Sequence, residues 1–344
     1  MNHQREIFSC SQPFILESGK TLESFDIVYD TYGKLNANKD NVVLVFHAFS
    51  GSNHAAGKLE SDDSIGWWDK FIGPNKAINT NESFVICANN IGSCFGSTGP
   101  KSVSNNTNKT YGKNFPEVSV TDWNNSIYKL LDSLNIKKVN TAIGASLGGM
   151  QVMDLISNKN KSTKKGIIIG ASPKPRQFNI LLNHVQRSIL NLSDKPDALQ
   201  VARMLSHISY ISSNFIEEKF RYNLQKPESR ISEEIKYESE NYLSYHGKKF
   251  EKKFDRNSFR LMTKAMDSYF LDESKIKNIE SKVLLISFDD DLLFPTKDML
   301  EFHNLLKMRG IDSYHEKLKG TRGHDSFLYL TEDYQKKLVK FLKK

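Results

Sequence analysis

A chain of 344 residues can bury a sizeable core, and its 48 Lys and Arg against 40 Asp and Glu give a formal net charge of +8. With 38% hydrophobic and 26% charged residues it is too balanced for a disordered segment, and no apolar run approaches the roughly 20 residues that span a bilayer. The excess charge is spread along a chain rich in Lys, Asn and Ile and reads as solubility; without helix-turn-helix, zinc-finger or aromatic-basic patterns, neither nucleic acid nor membrane is an expected partner. Cys10, Cys87 and Cys94 are too few and too irregularly spaced for a disulfide framework or a zinc site, so no metal is expected. The polar opening, Met1 to Glu6, has no apolar signal region, and a cytoplasmic location is expected.

In chain order, the first strand candidate is VVLVF at Val42–Phe46, a continuous apolar run of the kind buried on both faces of a parallel sheet. His47-Ala48-Phe49-Ser50-Gly51 follows it as a loop, and FVIC at 84–87 is the next strand. Residues 122–134 place Trp123, Ile127, Leu130, Leu131 and Leu134 on one helical stripe. A β-prone stretch at 138–141 then runs into Gly144-Ala145-Ser146-Leu147-Gly148, after which residues 150–156 can form a helix. Ile167 to Ile169 make another strand.

From 172 to 279 strand signals vanish. Three apolar helical stripes take over: Phe178, Leu181, Leu182, Val185 and Ile189; Ala198, Val201, Ala202 and Leu205; and Phe259, Met262, Ala265, Met266 and Tyr269. Residues 233–255 are dense in charge and tyrosine and read as a solvated or partner-facing helical region. Strands resume at 283–288 and Ser313–Leu318, with a helix at 298–308 between them. Alternating strands and helices predict an open, mostly parallel α/β sheet, with core segments at 1–171 and 280–344 and a helical lid inserted at 172–279.

The pentapeptide around Ser146 matches G-x-S-x-G, the turn that presents a serine between a strand and a helix. A serine hydroxyl needs a base oriented by an acid, and in this arrangement they follow it in the order acid, then histidine. Asp289, Asp290 and Asp291 stand at the end of the 283–288 strand, and sequence chemistry does not choose among them. His324, in Gly323-His324-Asp325 after the last strand, is the candidate base. The N–H of Leu147 and that of Phe49, in the loop after the first strand, are the candidate oxyanion donors. His47 leaves a buried strand ahead of the nucleophile and reads as structural.

His47 to Gly51, Gly66-Trp67-Trp68, Ile72-Gly73-Pro74, Gly96-Ser97-Thr98-Gly99-Pro100, the elbow extended through Gln151, Asp291-Leu292-Leu293-Phe294-Pro295 and Gly323-His324-Asp325 together resemble the homoserine O-acetyltransferases. The resemblance runs from about Phe14 to Phe327. It implies the α/β-hydrolase fold with a helical lid and a homodimer formed through that lid. It selects Asp291 as the triad acid beside Ser146 and His324, Arg187 as the group for a substrate carboxylate, and Asp325 as the group for its amine. The implied reaction is ping-pong transfer of acetyl from acetyl-CoA, a co-substrate, to L-homoserine in methionine biosynthesis, with no cofactor. Succinyl-CoA as donor, L-serine as acceptor, or hydrolysis by a serine esterase are the alternatives.

Overall fold

The computed structural model describes residues 2–59, 64–158 and 160–343. The chain opens with β1 (His3–Cys10), a ribbon of β2 (Phe14–Ile15) and β3 (Thr21–Leu22), then β4 (Phe25–Tyr32) and β5 (Val42–Phe46). A second two-residue ribbon, β6 (Ile72–Gly73) with β7 (Ile78–Asn79), precedes β8 (Phe84–Ala88). The alternating part follows: α1 (Val120–Ser133), β9 (Lys138–Ala145), α2 (Leu147–Ser157) and β10 (Ser162–Ile169).

Between β10 and β11 (Lys282–Phe288) the described chain is helical: α3 (Gln177–Leu192), α4 (Asp197–Tyr210), α5 (Ser213–Phe220), α6 (Glu238–Glu251), α7 (Arg256–Ser268) and α8 (Glu273–Ile276). The ends of this insertion are tied where the Leu271 N–H donates to the Pro173 carbonyl at 2.7 Å. After β11 come α9 (Thr296–Met308), β12 (Ser313–Leu318) and α10 (Glu332–Leu342).

Eight strands form one sheet in the order β1-β4-β8-β5-β9-β10-β11-β12. β1 pairs antiparallel with β4 and β4 with β8, while every pairing from β8 to β12 is parallel. Parallel central strands are covered on both faces, and their residues divide accordingly. Val42, Leu44 and Phe46 of β5 pack towards α1, α2 and α9, whereas Val43 and Val45 join Trp68, Phe71, Tyr334 and Leu338 on the other side. Ser119 starts α1 as a capping box, its side chain accepting from the Asp122 N–H at 3.0 Å while Asp122 accepts from the Ser119 N–H at 2.9 Å.

The helical insertion shares its core with the sheet: Leu190, Ala202, Phe259 and Met262 belong to the same buried cluster as α1 and α2. The expected stripe on α3 divides. Leu182 and Ile189 pack against that cluster, but Phe178, Leu181 and Val185 remain exposed. Among the described residues no helix is long and apolar enough to cross a membrane.

At the antiparallel end, fully buried Asp30 on β4 draws several elements together. It accepts from Arg5 Nε (2.8 Å) on β1 and Asn53 Nδ2 (2.7 Å), with His3 Nε2 at 3.0 Å and His54 Nδ1 at 3.3 Å. Burial by itself raises its pKa, but the hydrogen bonds from His54, Arg5 and His3 prevail and hold it well below the ordinary carboxylate range. His3, Asp30 and His54 present ligand-type atoms within 4.8 Å of one another, yet the Arg5 guanidinium already neutralises the carboxylate, so the cluster acts as a structural hub. Asn53 and His54 lie just beyond the loop after β5, which the hub therefore anchors.

Candidate active site

Ser146 sits where β9 ends and α2 begins, with φ 55° and ψ −122°, a region that non-glycine residues seldom enter. The turn holds because the residues two before and two after it, Gly144 and Gly148, lack side chains. A Cβ on Gly144 would stand 2.3 Å from the Gly148 carbonyl oxygen, and one on Gly148 would stand 2.2 Å from that of Phe46. The Ser146 N–H donates to the Ile169 carbonyl at 2.9 Å, and every residue of α2 is buried, so the strained residue rests on a rigid support. Leu147, as the first helical residue, has an N–H with no partner carbonyl in its own helix.

The three aspartates after β11 divide their work. Asp289 Oδ1 accepts from the Gly320 N–H at 2.7 Å and Asp290 Oδ2 from the Gly323 N–H at 2.9 Å, which fixes the loop carrying His324. Asp291 instead meets His324 itself, Oδ2 to Nδ1 at 2.8 Å, while its Oδ1 accepts the N–H groups of Leu293 and Phe294, both at 2.9 Å. Burial alone would favour a neutral imidazole. The charge and hydrogen bond of Asp291, with a further contribution from Asp325, outweigh it and raise the pKa of His324 above its ordinary value.

Ser146, His324 and Asp325 line one cleft of about 870 Å³ beneath the helical insertion, together with Ala48, Phe49 and Gly51 of the loop after β5. The Phe49 ring is turned into an aromatic cluster, 5.0 Å from the Phe259 centroid and 5.6 Å from that of Phe254. His47 is structural, as its position suggests: Nδ1 lies 2.9 Å from the Ala48 carbonyl and Nε2 accepts from the Asn90 N–H at 3.3 Å. Burial lowers its pKa to about 4.

Arg187 departs from the sequence expectation. It is not among the residues lining this cleft; its guanidinium pairs with Asp267 of α7 at 2.7 Å, and it lines a second cleft. The cation that faces Ser146's cleft is Arg203 of α4, which sequence reasoning passed over. Its guanidinium lies 5.2 Å from the Tyr210 ring centroid and 4.8 Å from that of Phe250, and its buried Nη1 has no hydrogen-bond partner among the described residues. Arg203 also bears on Asp325, whose pKa is raised by burial while the charges of Arg203 and His324 oppose that rise. The site thus holds a strained serine, a histidine paired with a carboxylate, and a cation and an acid of opposite charge in one partly closed cleft.

A family model described as the alpha/beta hydrolase fold matches residues 41–329. A homoserine O-acetyltransferase of Methanococcus vannielii is 36% identical over 95% of this chain and 70% of that protein. A homoserine O-succinyltransferase of Hahella chejuensis is 39% identical over 94% of this chain and 89% of its own length. The chain belongs to the α/β-hydrolase family and, within it, to the homoserine O-acyltransferases. A solved homoserine O-acetyltransferase of Bacillus anthracis superposes with a TM-score of 0.91 at 25% identity, covering 100% of this acyltransferase-family chain and 98% of the other. A solved esterase superposes with a TM-score of 0.90 at 26% identity, covering 99% and 100%.

Proposed function

We propose that this chain is a homoserine O-acetyltransferase that moves an acetyl group from acetyl-CoA to the hydroxyl of L-homoserine through an acetyl-Ser146 intermediate. The observation that carries the reading is the elbow serine in one cleft with the Asp291-paired His324 and with the opposed charges of Arg203 and Asp325. The names of the relatives supply the substrate class, and the acetyl donor is the choice made here between the two that those names contain.

In the first half-reaction His324 takes the Ser146 proton as the hydroxyl oxygen attacks the thioester carbonyl. The N–H groups of Leu147 and Phe49 receive the negative oxygen. The carbon–sulfur bond then breaks, and His324 returns its proton to the departing CoA thiolate. In the second half-reaction homoserine enters with its carboxylate on Nη1 of Arg203, which has no hydrogen-bond partner among the described residues, and its amine near Asp325. His324 deprotonates its hydroxyl, which attacks the acetyl ester, and Ser146 is regenerated. No cofactor takes part. The product is an activated alcohol suited to methionine biosynthesis, and the free thiols of Cys10, Cys87 and Cys94 suit a cytoplasmic setting.

CoA release from acetyl-CoA or succinyl-CoA, each with L-homoserine, with L-serine and with neither, tests the reading alongside Ser146→Ala. Acetyl-CoA turnover that needs homoserine and vanishes in the variant supports it. The fold shared with the solved esterase favours one second reading, hydrolysis, which predicts CoA release independent of any acceptor. We also propose a homodimer through the insertion, supported by the exposed apolar residues Leu181, Val185 and Leu192 of α3 and Val201 and Ile208 of α4.

A further inference from the structure

The second cleft, of about 970 Å³, is built from mostly polar residues on facing sides of two helices of the insertion. His184, Arg187, Ser188 and Asn191 of α3 follow helical spacing, and so do Asn257, Arg260, Leu261 and Lys264 of α7 opposite. Pro100 and the segment 112–117, including Lys113, close it from the sheet side. Each wall faces the other with cations: Lys113, Arg187, Arg260 and Lys264 line the cleft against one carboxylate, Glu117.

That charge is not fully compensated. Glu117 pairs with Lys264 at 2.7 Å and Asp267 with Arg187 at 2.7 Å, but Arg260 Nη2 donates only to neutral acceptors, the Leu190 carbonyl at 2.6 Å and Asn191 Oδ1 at 2.7 Å. Arg260 Nε and Arg187 Nη1 are buried with no hydrogen-bond partner among the described residues. Burial and the neighbouring charge of Arg256 both lower the pKa of Arg260, so the positive potential is held at a cost that an anion would relieve. Two arginines with spare donors on facing helices match the oxygens of a phosphate group.

The cleft also adjoins the catalytic one. Asn183 and Gln186 of α3 line the cleft of Ser146, and the residue following each, His184 and Arg187, lines the second. Asp267 links the two, its Oδ1 accepting from Asn183 Nδ2 at 2.7 Å and its Oδ2 forming an ion pair with Arg187 at 2.7 Å. An acyl-CoA carries its phosphates at the far end of a long pantetheine arm, so they must lie outside the space that holds the thioester. We propose that this basic cleft binds the phosphorylated adenosine end of the acyl-CoA donor, with Arg187, Arg260 and Lys113 as the phosphate-recognising residues. The inference rests on the donor reading above.

The test compares acetyl-CoA with acetyl-pantetheine, which carries the same thioester without phosphates, on the wild type, Lys113→Glu and Arg260→Gln. The expected result is a several-fold rise in KM for acetyl-CoA in both variants, with the KM for acetyl-pantetheine unmoved. Lys113 is exposed, so its variant does not depend on the fold tolerating a core change. Adenosine 3′,5′-bisphosphate should compete with acetyl-CoA in the wild type and weaken in the variants, whereas inorganic phosphate should compete far less. Equal KM values for the two thioesters in the wild type, or variants that raise both alike, would overturn the assignment while leaving the donor reading intact. If neither thioester reacts with homoserine present, the donor reading itself fails.

Discussion

Removing the charge of Asp291 tests how His324 is held. Because the pKa of His324 is raised, its ring stays protonated above the ordinary value of about 6.5, and general-base activity needs the neutral ring. We predict that kcat/KM rises with pH through a midpoint above that value. In Asp291→Asn the midpoint should fall, and kcat should drop by roughly 10⁴, as for other triads that lose their acid. A pH–rate profile of both proteins checks this. The sign for stability is opposite: the His324–Asp291 pair stabilises the fold fully below pH about 6.5, and that contribution fades as pH rises through the raised pKa. Arg203→Gln should weaken homoserine in kcat/KM by about 2 kcal/mol, the scale of a hydrogen bond to a charged group, while acylation of Ser146 continues. Arg187→Gln should leave homoserine recognition near wild type.

The Asp291–His324 pair and the strained turn at Ser146 were readable at this scale because each residue stands in a local pattern whose order along the chain is fixed by the fold. Arg203 was not, because it lies between Ala202 and Met204 on a helix whose orientation over the sheet depends on packing. Arg187 misled because the partner that occupies it, Asp267, is distant in sequence and nothing local announces the pair.

At the scale of elements, the elbow is the most constrained. Gly148→Ala would push a Cβ to 2.2 Å from the Phe46 oxygen, so β5 and α2 must separate. It should lower both the melting temperature and kcat, the latter because Leu147 N–H and Ser146 move together. The Asp30 hub should show a purely structural loss: Asp30→Ala leaves Arg5 and the histidines around a missing charge and should destabilise by roughly 3–5 kcal/mol in chemical denaturation. Its folded pKa is lowered, so its contribution is present above the ordinary carboxylate pKa of about 3.9 and is lost only as pH falls below it.

The buried parallel strands announced themselves as continuous apolar runs, whereas β1 did not, since as an edge strand it is largely exposed and mixes Arg, Glu and Ser with Ile and Phe. α10 also escaped notice. Its buried face is only Tyr334, Leu338 and Phe341, diluted by lysines and acids on the solvent side.

For the molecule as a whole, the insertion performs two tasks that sequence periodicity merges into one. Its inward stripes complete the core and cover Ser146, and its outward residues form an apolar ridge, with Leu181 at 62% and Leu192 at 85% exposure. The proposed dimer would bury such a ridge, and if it forms, Leu181→Asp with Val185→Asp should shift the sedimentation coefficient from that of a dimer to that of a monomer. Periodicity identified the helices but not which apolar face meets the sheet, because that is decided by where the chain leaves β10 and re-enters at β11. The overall charge revealed little, since it is only by folding that Lys113, Arg187, Arg260 and Lys264 gather in one cleft between α3 and α7 and Arg203 in another.

The central claim is that the acyl group on Ser146 goes to homoserine in preference to water, and intact-protein mass spectrometry tests it most directly. The protein is acylated with acetyl-CoA, freed of excess donor, and followed with and without L-homoserine. The account predicts an acetyl adduct that persists in buffer and disappears on addition of homoserine, with O-acetylhomoserine formed in equal amount. An adduct lost at the same rate in both samples would make water the acceptor and contradict it.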